Sequence, residues 1–215
     1  MKAPHPRGHG GEPILCIHPS GEVSGTVRSA TLAARGFPRA DIRVFDTQLI
    51  ASPLATMVTL AAQWAEGGCE VDTIIARLRG LIGRAHVYSL VDTLRYLAMG
   101  GRIGGAAALL GSILQAKPIL TLRDGRVEML ERERTHRRAV ARLKELVLQQ
   151  IPGDGTGYLA VMHGGVPDEA QALAAELRQQ LGLAEVPILD VPPAIVTRGG
   201  PGIRGVSFFS REQAT

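Results

Sequence analysis

Two spacings of apolar residues alternate along this chain. Short apolar runs, ILCIH (14–18), IRVFD (42–46), AHVYSLV (85–91), YLAVMH (158–163) and GVSFF (205–209), are separated by stretches in which apolar residues recur every third or fourth position. A continuous apolar run of this length marks a buried strand, and the wider spacing marks an amphipathic helix. Small residues carry one expected helix through Ala34. Ser52 is expected to N-cap a second, with Pro53 at its first position and Leu54, Met57, Val58, Ala61, Ala62 and Ala65 in helical spacing until Gly67 stops it. Asp72 is expected to cap a third, in which Ile74, Ile75, Leu78 and Ile82 share a face. A long helix follows from Thr135 with Ala139, Leu143, Leu146 and Val147 inward, and PDEAQALAAELRQQLG (167–182) forms another that ends at Gly182. KPILTL and RVEML flank Asp124-Gly125, a tight-hairpin signal because both residues tolerate positive φ. VPILDV and AIVT read as short strands before the last one.

This alternation predicts an α/β fold with parallel or mixed sheets covered by helices. The expected organisation is a Pro-, Gly- and His-rich disordered lead-in over 1–12, a first α/β lobe over 13–84 and a second over 85–212.

Composition narrows the function. Hydrophobic residues make up 45% of the 215 residues but aromatics only 4%, so the core must be aliphatic. The net charge of +4 suits an anionic small molecule at least as well as nucleic acid. The densest basic stretch, Arg132 to Arg142, is interrupted by acids and reads as a solvated helix face. The two cysteines, Cys16 and Cys69, give neither a disulfide framework nor a zinc motif, so reduced thiols and a cytoplasmic setting are expected. No run of about eighteen apolar residues exists, so no membrane insertion is expected.

Three glycine- or serine-rich turns hold the candidate chemistry. SGEVSGT (20–26) follows a strand and opens a helix, so its N–H groups and hydroxyls suit an anion, while plain N-capping by Ser24 explains it as well. GGRIGG (100–105) sets Arg102 ahead of the apolar run AAALLGSIL, either as a fixed cation or at a helix corner facing water. TRGGPGIRG (197–205), with Arg198 and Arg204, is a connecting loop or a second anion contact. No Ser-His-Asp, paired-carboxylate or His-metal arrangement can be assembled. Helix N-capping accounts for Asp92. The residues are equipped to bind an anion rather than to transform one, and a phosphoester enzyme built on the three loops would still need an acid or base.

DTLRYLAMGGRIGGAAALLGSILQAKPIL, followed by DGRVEMLERERTHRRA, resembles the central signature of the DegV family, bacterial fatty-acid-binding proteins that serve as acyl-carrying subunits of fatty acid kinases. HPSGEVSGTVRSA resembles the family's serine turn, VFDT its strand end and RGGPGIRGVSFF its C-terminal Gly-Pro-Gly loop. The resemblance implies two α/β lobes with a long-chain fatty acid between them, no cofactor and no catalysis by this chain. It implies a carboxylate site at Ser20, Gly21, Ser24, Gly25, Thr26 and Arg198, where the family has His. Arg102 would lie in the head region, Arg134 would contact the catalytic subunit of the kinase, and Ala107, Leu110, Ile113 and Leu114 would line the acyl tunnel. Family members also begin with a segment holding the lobe's first strand, which is not among these 215 residues, so that either the true start lies upstream of Met1 or this is a shortened member. The first lobe is therefore expected to be incomplete, with an exposed sheet edge through which two copies would pair. On that expectation the chain is alternatively a lipid-free interaction module.

Overall fold

The computed structural model describes residues 11–104, 107 and 117–211. In chain order the elements are β1 (Ile14–His18), α1 (Thr26–Ala34), β2 (Ile42–Asp46), α2 (Ala51–Glu66), α3 (Val71–Ile82), β3 (Ala85–Leu90), α4 (Arg95–Met99), β4 (Lys117–Arg123), β5 (Arg126–Glu133), α5 (His136–Gln150), β6 (Ala160–His163), α6 (Pro167–Leu181), β7 (Ile188–Asp190), α7 (Pro193–Gly199) and β8 (Arg204–Phe209). The fold is α/β, as the alternation predicts. β1 and β2 pair in parallel as a two-stranded sheet, and the other six strands form a mixed sheet in the order β5-β4-β3-β8-β6-β7. The hairpin between β4 and β5 turns on Asp124 and Gly125, both at positive φ.

β8 is the centre of the molecule, with all six residues buried. Successive side chains of a strand face opposite sides. Phe208 accordingly joins the core formed with Leu143 and Val147 of α5 and Leu177 of α6, while Phe209 joins Met57 of α2, Leu78 of α3 and Phe45 of β2. Phe209 thereby anchors the first part of the chain to the six-stranded sheet. The far side of that first part is much less covered: β1 is only half-buried along its length, α1 buries no residue, and Leu32 and Phe37 are 65% and 46% exposed.

Four local expectations are corrected. Ser52 does not cap α2; Ile50 holds that position, and Ser52 sits in the first turn, buried, with its hydroxyl against those of Ser207 and the Met162 sulfur. A hydroxyl drawn into a buried contact across the molecule is lost to local capping. Glu70, not Asp72, precedes α3, and Asp72 lies in its first turn, 3.2 Å from Arg43. Asp92 does not cap α4; Leu94 is the N-cap, and Asp92 pairs with Arg204. AIVT is helical within α7, not a strand, because Pro193 at the helix start fixes φ for helix entry and outweighs the β preference of Ile195 and Val196.

His86 in β3 stacks on Phe208 at 4.8 Å between ring centroids, and burial pushes its pKa below the usual histidine value of 6.5. A folded-state pKa below the unfolded one means that the unfolded chain takes up the proton first. Stability is therefore fully present above about pH 6.5 and falls as pH drops towards the folded pKa. Thermal melts between pH 8 and pH 5 are expected to show this decline, and His86→Phe is expected to flatten it. An unchanged slope in the variant would exclude His86 as the source.

Candidate functional site

A cavity of about 800 Å³ lies between the first part of the chain and the six-stranded sheet. That is within the range of roughly 300–1,000 Å³ typical of small-molecule sites. One wall is a stripe of α2: Leu54, Ala55, Val58 and Thr59 face the cavity, while Met57, Leu60 and Ala61 on the adjacent stripe pack into the core. The opposite wall is the sheet, with Val87, Ser89 and Val91 at period two along β3 and its continuation, and Leu120 and Leu122 from β4. Ile195 of α7 and Ile203 just before β8 complete an aliphatic lining.

Positive charge gathers where the chain leaves the C-terminal end of β3. Arg102 donates from Nε to the Val23 carbonyl at 3.2 Å and from Nη1 to the Gly100 carbonyl at 2.7 Å. Arg198, at the end of α7, donates from Nη1 to the same Gly100 carbonyl at 2.7 Å. The two nitrogens thus lie within two hydrogen-bond lengths of each other, and both side chains line the cavity. The bare Gly100 makes room for this approach, since a Cβ there would stand 2.7 Å from Arg198 Cδ. Among the described residues neither arginine is within 4.0 Å of a carboxylate. A guanidinium has five N–H donors, and among the described residues these bonds use only a minority of them. Ser24 and Gly25, beside Val23 and at the start of α1, line the same end. Two closely set cations with spare donors, at the end of an aliphatic cavity, suit one negatively charged group carrying an apolar tail.

A family model described as "Uncharacterised protein, DegV family" matches residues 7–211. The chain belongs to the DegV family. A DegV domain-containing protein of Streptomyces coelicolor is 42% identical over 203 residues, covering 94% of this chain and 72% of its own. One from Halalkalibacterium halodurans is 34% identical over 200 residues, covering 93% and 71%. Among solved structures, a Thermus thermophilus DegV family protein described by its fatty acid binding superposes with a TM-score of 0.80 at 34% identity, over 93% of this chain and 71% of that one. DegV of Bacillus subtilis, described as a fatty acid binding protein, gives 0.79 at 28% identity, over 92% and 71%.

The DegV motif residues divide into several groups in the structure. Ser24, Gly25, Arg102 and Arg198 line the cavity. Ser20 does not: it is fully buried, donates its hydroxyl to the Gly125 carbonyl at 2.7 Å and accepts from the Glu22 N–H at 3.2 Å, tying the serine turn to the β4–β5 hairpin. Gly21 is exposed and donates its N–H to Asp46 at 3.1 Å. Thr26 lies on the surface, its hydroxyl 3.2 Å from that of Ser24. Arg134 is exposed just before α5, whose N-cap Thr135 accepts from the Arg138 N–H. Ala107 is exposed, and Leu110, Ile113 and Leu114 lie outside the described residues. Motif matching did not point to the α2 stripe or to Ser89. The signal for the stripe was present, because Leu54 and Val58 follow the helical spacing, but the pattern cannot separate a residue facing a cavity from one facing a core.

Arg204 is the other arginine of the third turn, and it lies away from the cavity. It is 5% exposed, bound through Nη2 to Asp92 at 2.9 Å and through Nη1 to Glu169 of α6. Its charge is thus already matched within the protein.

Proposed function

We propose that this chain binds a long-chain fatty acid in the cavity, with its carboxylate on Arg102 and Arg198 beside Ser24 and Gly25 and its tail along the α2 stripe and the β3–β4 wall. The observation that carries this reading is the convergence on the Gly100 carbonyl, in the lining of an aliphatic cavity, of two arginines that have no carboxylate partner among the described residues. Each methylene moved from water to such a wall contributes about 0.8 kcal/mol, so a long acyl chain gains on the order of 10 kcal/mol and few polar groups are needed to orient it. Thr26 supports Ser24 through their shared hydrogen bond, and Ser20 acts indirectly by holding the serine turn in place.

The chain has a binding role in this reading and performs no chemistry of its own. It presents the carboxylate to a separate kinase, with Arg134 on the contact face, and the division at residues 84 and 85 separates two lobes that close on the ligand. Protein purified from bacterial cells is expected to carry fatty acid in native mass spectrometry. Protein that arrives empty and takes up neither palmitate nor oleate would overturn the reading.

A second reading rests on the half-buried β1 and the uncovered α1 with Leu32 and Phe37. An open strand edge beside exposed apolar side chains favours pairing with a second copy. Light scattering across a concentration series separates a dimer from a monomer.

A further inference from the structure

We infer that Arg204 is a positioning residue for the anion site: its guanidinium stays out of the cavity and fixes the two segments that carry Arg102 and Arg198. This rests on the proposed reading of the cavity as a fatty-acid site.

The two cavity arginines come from distant parts of the chain. Arg102 follows β3 and α4, whereas Arg198 lies in the last turn of α7, ahead of the Gly200–Ile203 loop that enters β8. Their only shared anchor among the described hydrogen bonds is the Gly100 carbonyl. A single carbonyl does not set the spacing of two long side chains, so the backbones behind them must be held. Arg204 stands where that hold is needed. Its Nη2 bonds Asp92, the second residue after β3 and the start of the segment leading to α4, Gly100 and Arg102. Its own backbone continues the loop that carries Arg198.

The loop is pressed directly against this ion pair. Gly202, at φ +78°, lies so close that a Cβ would sit 2.6 Å from Asp92 Oδ2. The Gly202 N–H donates to the Gly164 carbonyl at 2.8 Å, and the Gly164 N–H donates to the Ile203 carbonyl at 2.7 Å, so the loop is also pinned to the end of β6. Nη1 of Arg204 reaches Glu169 in the first turn of α6, which gives the guanidinium a second support, on a helix. His136 Nε2 stands 3.4 Å from the same Glu169 carboxylate, and Lys117 Nζ is 3.9 Å from Asp92. A planar fork that addresses two carboxylates in two directions is a task for Arg and not for Lys. A buried cation bound on two sides is also costly to move, which makes it a fixed reference for whatever leans on it.

The test separates head recognition from tail burial by comparing palmitate with hexadecanol, which has the same chain length without the carboxylate. Dissociation constants for both, with a thermal melt, are measured on the wild type, R204M and R204K. Palmitate affinity is expected to fall on the order of tenfold in R204M, the size of coupling usual for a group acting through others, while hexadecanol affinity stays within about twofold. R204K is expected to recover only part of the loss. Should R204M fail to fold, D92N and E169Q carry the same comparison, with D92N expected to have the larger effect because Asp92 lies on the path to Arg102. Equal losses for palmitate and hexadecanol, or no loss for either, overturn the positioning role. A wild type that binds neither compound overturns the fatty-acid reading itself, a result distinct from any variant effect.

Discussion

Replacing Arg102 and Arg198 together with alanine is expected to weaken palmitate binding by a factor on the order of a thousand while leaving hexadecanol binding nearly unchanged. Both guanidiniums line the cavity, both touch the Gly100 carbonyl, and neither has a carboxylate partner among the described residues. A hydrogen bond to a charged group contributes about 1.5–3 kcal/mol, and each 1.4 kcal/mol is tenfold in affinity. Two such groups therefore account for roughly two to four orders of magnitude. Either single variant is expected to cost about tenfold to a hundredfold, because the remaining arginine still faces the carboxylate. Equilibrium displacement of a fluorescent fatty acid measures these constants directly. A double variant within about threefold of the wild type would remove the carboxylate from this end of the cavity.

Ala55→Trp should abolish binding of acid and alcohol alike. Ala55 lies on the cavity stripe of α2, apart from the stripe on which Met57 and Leu60 pack into the core. An indole there fills space intended for the tail without entering the core. If it displaces half of a long acyl chain, the loss at about 0.8 kcal/mol per methylene is several kcal/mol, or roughly a thousandfold or more in affinity. Stability is expected to shift by no more than about 1 kcal/mol, since the substituted side chain is solvent-facing when the cavity is empty. A thermal melt together with the two dissociation constants checks both parts. Retained palmitate binding in a folded variant would place the tail elsewhere. The contrast between the two experiments is diagnostic: the arginine variants separate acid from alcohol, and the blocking variant does not.

The arrangement also explains why the glycine elbow comes before an apolar run. Gly100 ends α4 and leaves room for the Arg198 side chain, and its carbonyl accepts from both cavity arginines. At Gly104, with φ +52°, a Cβ would collide with the Val127 carbonyl of β5. The glycines thus permit two close approaches, one of a side chain and one of a backbone. Neither is visible in the local sequence, which by itself is equally compatible with a helix corner turned to water.

Much of this protein could be read from the chain. Continuous apolar runs and helical spacing located β1, β2, β3, β8 and the faces of α3 and α5, because burial imposes its period on the sequence. Asp124-Gly125 located the hairpin because few residues tolerate positive φ at both positions. The motif resemblance placed Ser24, Gly25 and Arg198 with Ser20, Gly21 and Thr26 at the carboxylate and Arg102 in the head region; the structure brings Ser24, Gly25, Arg102 and Arg198 to one cavity and leaves Ser20, Gly21 and Thr26 outside its lining.

Tertiary structure decided the rest. Ser20 and Ser52 read as an anion ligand and a helix cap, yet their hydroxyls reach Gly125 and Ser207, which lie more than a hundred positions away in the chain. Arg198 and Arg204 flank one short loop with similar local sequence, and only the fold gives Arg204 two carboxylates while leaving Arg198 at the cavity. Local patterns record which side of an element is buried and which backbone angles are allowed. They do not record the partner of a polar side chain, because that partner is set by long-range packing, and it is the partner that determines whether a charge remains available to a ligand.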